Sequence, residues 1–186
     1  MKYLIFSALF IPFLLSAQEV TIDGDPIQQD SVVEVENTTQ NQLYIKGLEW
    51  FADIYVNSQK VIQLKDKEAG IIMGKASFET VVKGGALLPK RNTSISYTVR
   101  LQFKDGRFRY TIKDFIQESV QGSPGYGMIT DGEIIEAKKT VMKIANKQYK
   151  ELQKAIYKQI FKIETSILAT FENDLSLGEG ELDDDW

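Results

Sequence analysis

The stretch SISYTVRLQFKDGRFRYTIKDF, Ser94 to Phe115, constrains the fold more than any other part of the chain. Ile95, Tyr97, Val99, Leu101 and Phe103 alternate with polar residues, the two-residue period of a strand with one buried face. Asp105 and Gly106 then tolerate the positive φ of a tight two-residue turn. Phe108, Tyr110 and Ile112 carry the apolar face back, which sets Phe103 opposite Phe108 and Leu101 opposite Tyr110. A hairpin with one long apolar face is marginal alone in water, so it needs more strands and a covering layer.

The flanking segments supply both. Ile62 and Leu64 alternate with Gln63 and Lys65. After a turn around Asp66 to Gly70, Ile72, Gly74, Ala76 and Phe78 alternate with Met73, Lys75, Ser77 and Glu79, a second hairpin. Ser31 to Glu36 is a short strand candidate, SVVEVE. Thr39 and Gln42 have capping-box spacing, and Tyr44, Leu48, Phe51 and Tyr55 recur at helical intervals, which predicts a helix over Gln40–Val56. From Glu133 to Phe171 the pattern is helical again. Tyr149, Leu152, Ile156, Ile160, Ile163 and Ile167 mark one face, and a lysine stripe from Lys139 to Lys158 marks the other. The predicted architecture is α+β: a curved, antiparallel five-stranded sheet, β-α-β-β-β-β-α, with two helices on one face. A last helix of nearly 40 residues would run about 57 Å, against about 24 Å across five strands. Either it breaks, or an overhang bearing Phe161, Ile163, Ile167 and Phe171 needs a partner.

The chain begins MKYLIFSALFIPFLLSAQ. Lys2, the apolar run Tyr3 to Leu15 and the small pair Ser16-Ala17 have the form of an export leader cut between Ala17 and Gln18. The expected organisation is a signal peptide at 1–17, a flexible acidic lead at 18–30, one domain at 31–171 and a disordered acidic tail at 172–186. No transmembrane segment is expected in the mature chain, which would be periplasmic or secreted. There is no cysteine, so neither a lipid anchor on cysteine nor a disulfide can form, and the core must carry stability alone.

Histidine is absent too, which removes Ser-His, Cys-His and histidine-metal chemistry at once. AGIIMGKASF, Ala69 to Phe78, has the look of a phosphate-cradling loop. Yet only three residues separate its glycines, Ala76 follows Lys75 where Ser or Thr is required, and the stretch alternates like a strand instead of opening a helix. Asp23-Gly24-Asp25 lacks the further ligands of a calcium loop. No metal and no cofactor is expected, and no catalytic residue stands out.

The net charge of −4 conceals a sharp layout. Gln18–Glu36 and Glu172–Trp186 carry six and seven acids and no base, while Asn37–Phe171 holds 21 basic and 13 acidic residues. Lys65, Lys75, Arg100, Lys104, Arg107, Arg109 and Lys113 fall on the polar side of the alternating strands, a candidate anion-binding face. The plain alternative is a face kept polar for solubility.

LYIKGLEWFADIY, VIQLKDKEAGIIMGKASF and the long hairpin, together spanning about Val33 to Phe115, resemble a family of secreted bacterial proteins of unknown function with a TATA-binding-protein-like fold. The resemblance implies a fold and a compartment but no reaction. In the TATA-binding protein the corresponding face binds DNA. Here export and the acidic flanks make nucleic acid a poor partner, and likeness of fold does not transfer function. The resulting expectation is an exported, non-enzymatic binding or interaction module. Its partner would be an anionic polymer, an envelope glycolipid or a protein, and a homo-oligomer through the C-terminal helix stays open. One alternative is a small-ligand cavity between sheet and helix, lined by Trp50, Tyr97, Phe103, Phe108 and Tyr110. Another is a carboxylate-dependent hydrolase, which only geometry could identify.

Overall fold

The computed structural model describes residues 21–82, 90–118, 125–136 and 139–172. The leader with its Ala17–Gln18 junction, and the acidic tail beyond Glu172, lie outside the described residues. The elements are β1 (Thr21–Ile22), β2 (Gln29–Glu34), α1 (Gln40–Ile54), the single turn α2 (Ser58–Val61), β3 (Ile62–Asp66), β4 (Ile71–Val82), β5 (Arg91–Lys104), β6 (Arg107–Gln117), β7 (Gly127–Met128), β8 (Ile134–Glu136) and α3 (Lys139–Glu172).

The main sheet is antiparallel, in the order β2-β6-β5-β4-β3, and the two-residue β7 adds to β6 as a sixth strand. Phe103 lies opposite Phe108 and Leu101 opposite Tyr110, as the alternation predicts, and Gly106 takes φ 73° at the turn. Both long helices cover the apolar face. α1 opens with the expected capping box, in which the Gln42 side chain accepts from the Thr39 N–H and the Thr39 hydroxyl accepts from the Gln42 N–H. Glycines let it sit close. A Cβ on Gly47 would stand 2.4 Å from Cζ of Phe103, and one on Gly74 would stand 2.6 Å from Cε1 of Phe51. α3 packs beside α1, where the Trp50 indole N–H donates to Ser166 Oγ at 3.0 Å. At its end Phe171 stacks on Phe108 with ring centroids 4.1 Å apart.

Three expectations are corrected here. The last helix starts at Lys139, not Glu133, because Ile134–Glu136 pairs as a strand with β1. The lead expected to be flexible is tied into the body from Thr21 onward. Asp23 N–H donates to Glu133 O, Ile27 N–H to Ile129 O, and the Asp25 carbonyl accepts from Asp131 N–H, which leaves Ile27 buried. Neither segment carries a hydrophobic period, since two irregular stretches satisfy each other's backbone groups. Finally, the end of α3 does not overhang. Its 34 residues run about 51 Å, but Ile163, Ile167 and Phe171 are all buried. The surplus length lies at the N-terminal half, under the β1–β8 pair and the segment before it. Tyr149 Oη accepts from Thr130 N–H at 2.7 Å, and Gln153 Nε2 donates to the carbonyls of Thr130 and Gly132. Phe161 alone of the four stays exposed, at 69%.

Candidate functional site

The face of the sheet away from the helices is built by strand register. Four rungs cross it. Lys104 lies opposite Arg107, and Arg107 opposite Glu34. Gln102 lies beside Arg109 and Val32 on one side and Ile71 on the other. Arg100 is flanked by Thr111 and Met73, with Asp30 beyond Thr111. Thr98 stands between Lys113 and Lys75 and is only 2% exposed. Six of the seven bases singled out from the sequence therefore share this face.

Lys65 does not. A bulge between Ile62 and Leu64 shifts β3 by one residue, so Lys65 lies opposite the core residue Ile72 and belongs to the helix side, while Leu64 takes the outer position opposite Met73. A one-residue slip exchanges the two faces of a strand, and simple alternation cannot foresee it.

The six bases are not equivalent. Asp30 lies 3.8 Å from Arg109 Nε and accepts from the Thr111 hydroxyl, and Lys113 has Asp114 at 3.9 Å. Lys75, Arg100, Lys104 and Arg107 are in no ion pair among the described residues. Arg100, in the middle of the central strand, is half-buried, and its Nε is shielded from water without a hydrogen-bond acceptor. Leaving such a donor unpaired is costly, so turning the half-buried Arg100 side chain outward onto an added acceptor would recover that cost. Lys75 stands in mid-strand with no helix opening beside it, which fits the rejection of a phosphate loop in AGIIMGKASF.

The helix side offers no such vacancy at the aromatics first considered as cavity lining. Trp50, Tyr97, Phe103, Phe108 and Tyr110 are all buried and packed, with Phe171 filling the space over Phe103 and Phe108. This corrects the cavity placed there. The polar atoms among them have partners: Tyr55 and Tyr97 share a hydrogen bond, Gln159 donates to Tyr97 Oη, and Tyr110 donates to Glu164 at 2.8 Å. Burial, reinforced by Tyr97, pushes the Tyr55 phenol far above its ordinary value. Burial and the bond to Glu164 raise Tyr110 in the same direction. The carboxylates held by hydrogen bonds serve structure: Asp66 accepts from Ala69 N–H, Asp105 from Gln40 N–H and Asp131 from Asp25 N–H. A cleft does open farther along, between β4 and α3, with a volume of about 650 Å³; Phe78, Ala155, Lys158, Phe161 and Lys162 are among its walls. No helix among the described residues is long and apolar enough to cross a membrane.

Residues 30–117 match a family model described as a domain of unknown function (DUF4468) with TBP-like fold. That segment runs from β2 through β6 and holds the whole outer face. A DUF4468 family protein from Bacteroides ovatus, known from a crystal structure, is 15% identical with a TM-score of 0.56, covering 80% of this chain and 90% of that one. A TBP-like protein from Parabacteroides distasonis is 14% identical with a TM-score of 0.54, covering 76% and 92%. At these identities the likeness speaks for the fold alone. No curated protein matches the chain.

Proposed function

We propose that this protein, which carries a DUF4468 domain of TBP-like fold, is an exported, non-enzymatic interaction module whose outer sheet face holds an extended anionic partner. The observation that carries this reading is Arg100: a half-buried guanidinium at the centre of the face with an orphaned Nε, on a face that also carries Lys75, Lys104 and Arg107, which have no ion-pair partner among the described residues. Bases on neighbouring strands stand about 5 Å apart, and alternate residues along a strand about 7 Å apart. That spread does not converge on one phosphate. It matches a partner whose negative charges are themselves spaced along a line, which is the chemistry shared by an anionic polymer, a row of phosphate-bearing glycolipid headgroups and an acidic protein segment. Asp30 and Glu34 on β2 and Asp66 on β3 sit on the rims of the face and Glu79 lies toward the far end of β4, so the strands around Arg100 keep a positive field. Export rests on the leader-like start of the chain.

The test is retention of the purified mature protein on an immobilised anionic polymer such as heparin at low salt. The charge-reversal pair Lys104→Glu and Arg107→Glu should elute at clearly lower salt than the parent, while the charge-matched pair Lys147→Glu and Lys154→Glu on α3, both exposed, should elute only slightly earlier. Equal losses for the two variants would mean a response to net charge alone and would refute the assignment to this face.

A further inference from the structure

β3 is short and pairs only with Ile71–Gly74 of β4. From Lys75 to Val82, β4 has β5 on one side and, among the described residues, no strand on the other. Along that stretch every second residue directs its N–H and C=O away from β5. The two outermost strands are guarded in the usual ways: β2 carries Asp30 and Glu34, and β3 is five residues long, bulged and charged. The free half of β4 has no bulge and no proline, and Val81 on it is exposed.

The cleft of about 650 Å³ runs along this same stretch, with Phe78, Glu79 and Thr80 as one wall and Ala155 to Ala169 of α3 as the other. Phe161, at 69% exposed, lines it beside the exposed Lys158 and Lys162. An open strand edge next to a groove roofed by a helix is the arrangement in which extended peptides bind by adding a strand.

We infer that the Lys75–Val82 edge of β4 is a docking site for an extended acidic peptide segment of another protein. The segment adds a strand to the sheet, and every second side chain faces the helix side, where apolar ones enter the cleft against Phe78 and Phe161 and carboxylates meet Lys158 and Lys162. The lysines also argue against a second copy of this chain. Antiparallel edge-to-edge pairing of two copies, about a two-fold axis normal to the sheet, sets both α3 helices on the same side. Lys158 and Lys162 of each copy would then face those of the other across the join. This site shares only Lys75 with the bases of the outer face, and it stands or falls independently of that face.

The experiment is a titration of the isotopically labelled mature chain, followed by amide chemical shifts. The probe is a synthetic peptide repeating Thr-Val-Thr-Glu, which sets valine and glutamate on one strand face, compared with the same peptide N-methylated at alternate residues and with a counterpart carrying lysine in place of glutamate. The expected result is shifts confined to Lys75–Val82 and to α3 around Lys158–Thr165 with the acidic peptide. N-methylation should abolish them, and Lys158→Glu with Lys162→Glu, both exposed, should weaken binding about tenfold. No shifts at about 1 mM acidic peptide, a range that detects even weak binding, would overturn the inference. So would shifts indifferent to N-methylation, or shifts mapping to the outer face. Concentration-dependent broadening of the β4 amides without peptide would assign the edge to a second copy. Loss of their hydrogen-exchange protection on deleting residues 173–186 would assign it to the chain's own tail. Either of these would likewise overturn it.

Discussion

The Asp105 carboxylate accepts a hydrogen bond from the backbone N–H of Gln40 at 2.7 Å, across 65 positions of sequence. Asp105 thus has two tasks. It shapes the β5–β6 turn, and it places a carboxylate at the start of α1, where free N–H groups and the helix dipole favour negative charge. The same turn accepts Val35 N–H through Gly106 O and donates Gly106 N–H to Thr38 O, so the hairpin tip fixes the approach of the chain into α1.

Asp105→Ala should therefore cost about 1 kcal/mol in chemical denaturation, the usual scale for losing a helix-capping acceptor. Asp105→Asn, which keeps an acceptor and the turn preference, should recover most of it. Equal losses for the two variants would indicate that the negative charge at the start of α1 carries the effect, not the acceptor or the turn preference.

Gly47→Ala tests the close packing of α1 on the sheet. Alanine favours a helix by up to about 1 kcal/mol over glycine. Here, however, its methyl would meet Cζ of Phe103 at 2.4 Å and Cδ1 of Ile72 at 3.2 Å. Overpacking of this kind costs about 1–3 kcal/mol, so the net effect should be destabilising by thermal melting. A more stable Gly47→Ala protein would mean that Phe103 rotates away freely.

Alkaline pH should unfold the protein early. Tyr55, Tyr110 and Tyr126 all have phenols raised above the ordinary value of 10.0, chiefly by burial. In the unfolded chain these groups lose protons near pH 10, while in the folded chain they hold them. The folded state then binds more protons, so stability is full below about pH 10 and falls as pH rises beyond it. Tyr55→Phe should flatten this decline, measured as the denaturation midpoint from pH 8 to pH 11, both bounds being approximate. A decline of the same steepness in the variant would remove Tyr55 from the account.

Much of this architecture is legible in the sequence wherever a regular period meets a single buried face. The β5–β6 register follows from Phe103 and Phe108, the start of α1 from Thr39 and Gln42, and the close approach at Gly74 from a small residue on a packed strand face. What is not legible is pairing without period. β1 and β8 are two- and three-residue strands that pair with each other, with Asn146 of α3 bonded to Ile134 and Gln153 to the segment before it. The bulge in β3 is likewise silent in the alternation, and it is the reason Lys65 leaves the candidate face. The length of α3 is readable, but not what covers it. The outer face itself is legible as six bases on alternating positions; that Arg100 lacks an acceptor depends on packing between Met73 and Thr111 and could not be read.

The central claim is that the outer face, through Arg100, takes an anionic partner. The most direct measurement is an amide and arginine side-chain titration of the labelled mature chain with a soluble anionic polymer, heparin being a suitable probe. The account predicts that Arg100 Nε–H shifts first and furthest, with Lys75, Lys104 and Arg107 following and α3 silent. It also predicts that Arg100→Gln weakens binding several-fold while leaving the fold intact. Shifts spread over the lysines of α3, or an Arg100 signal that does not move at saturation, would contradict it.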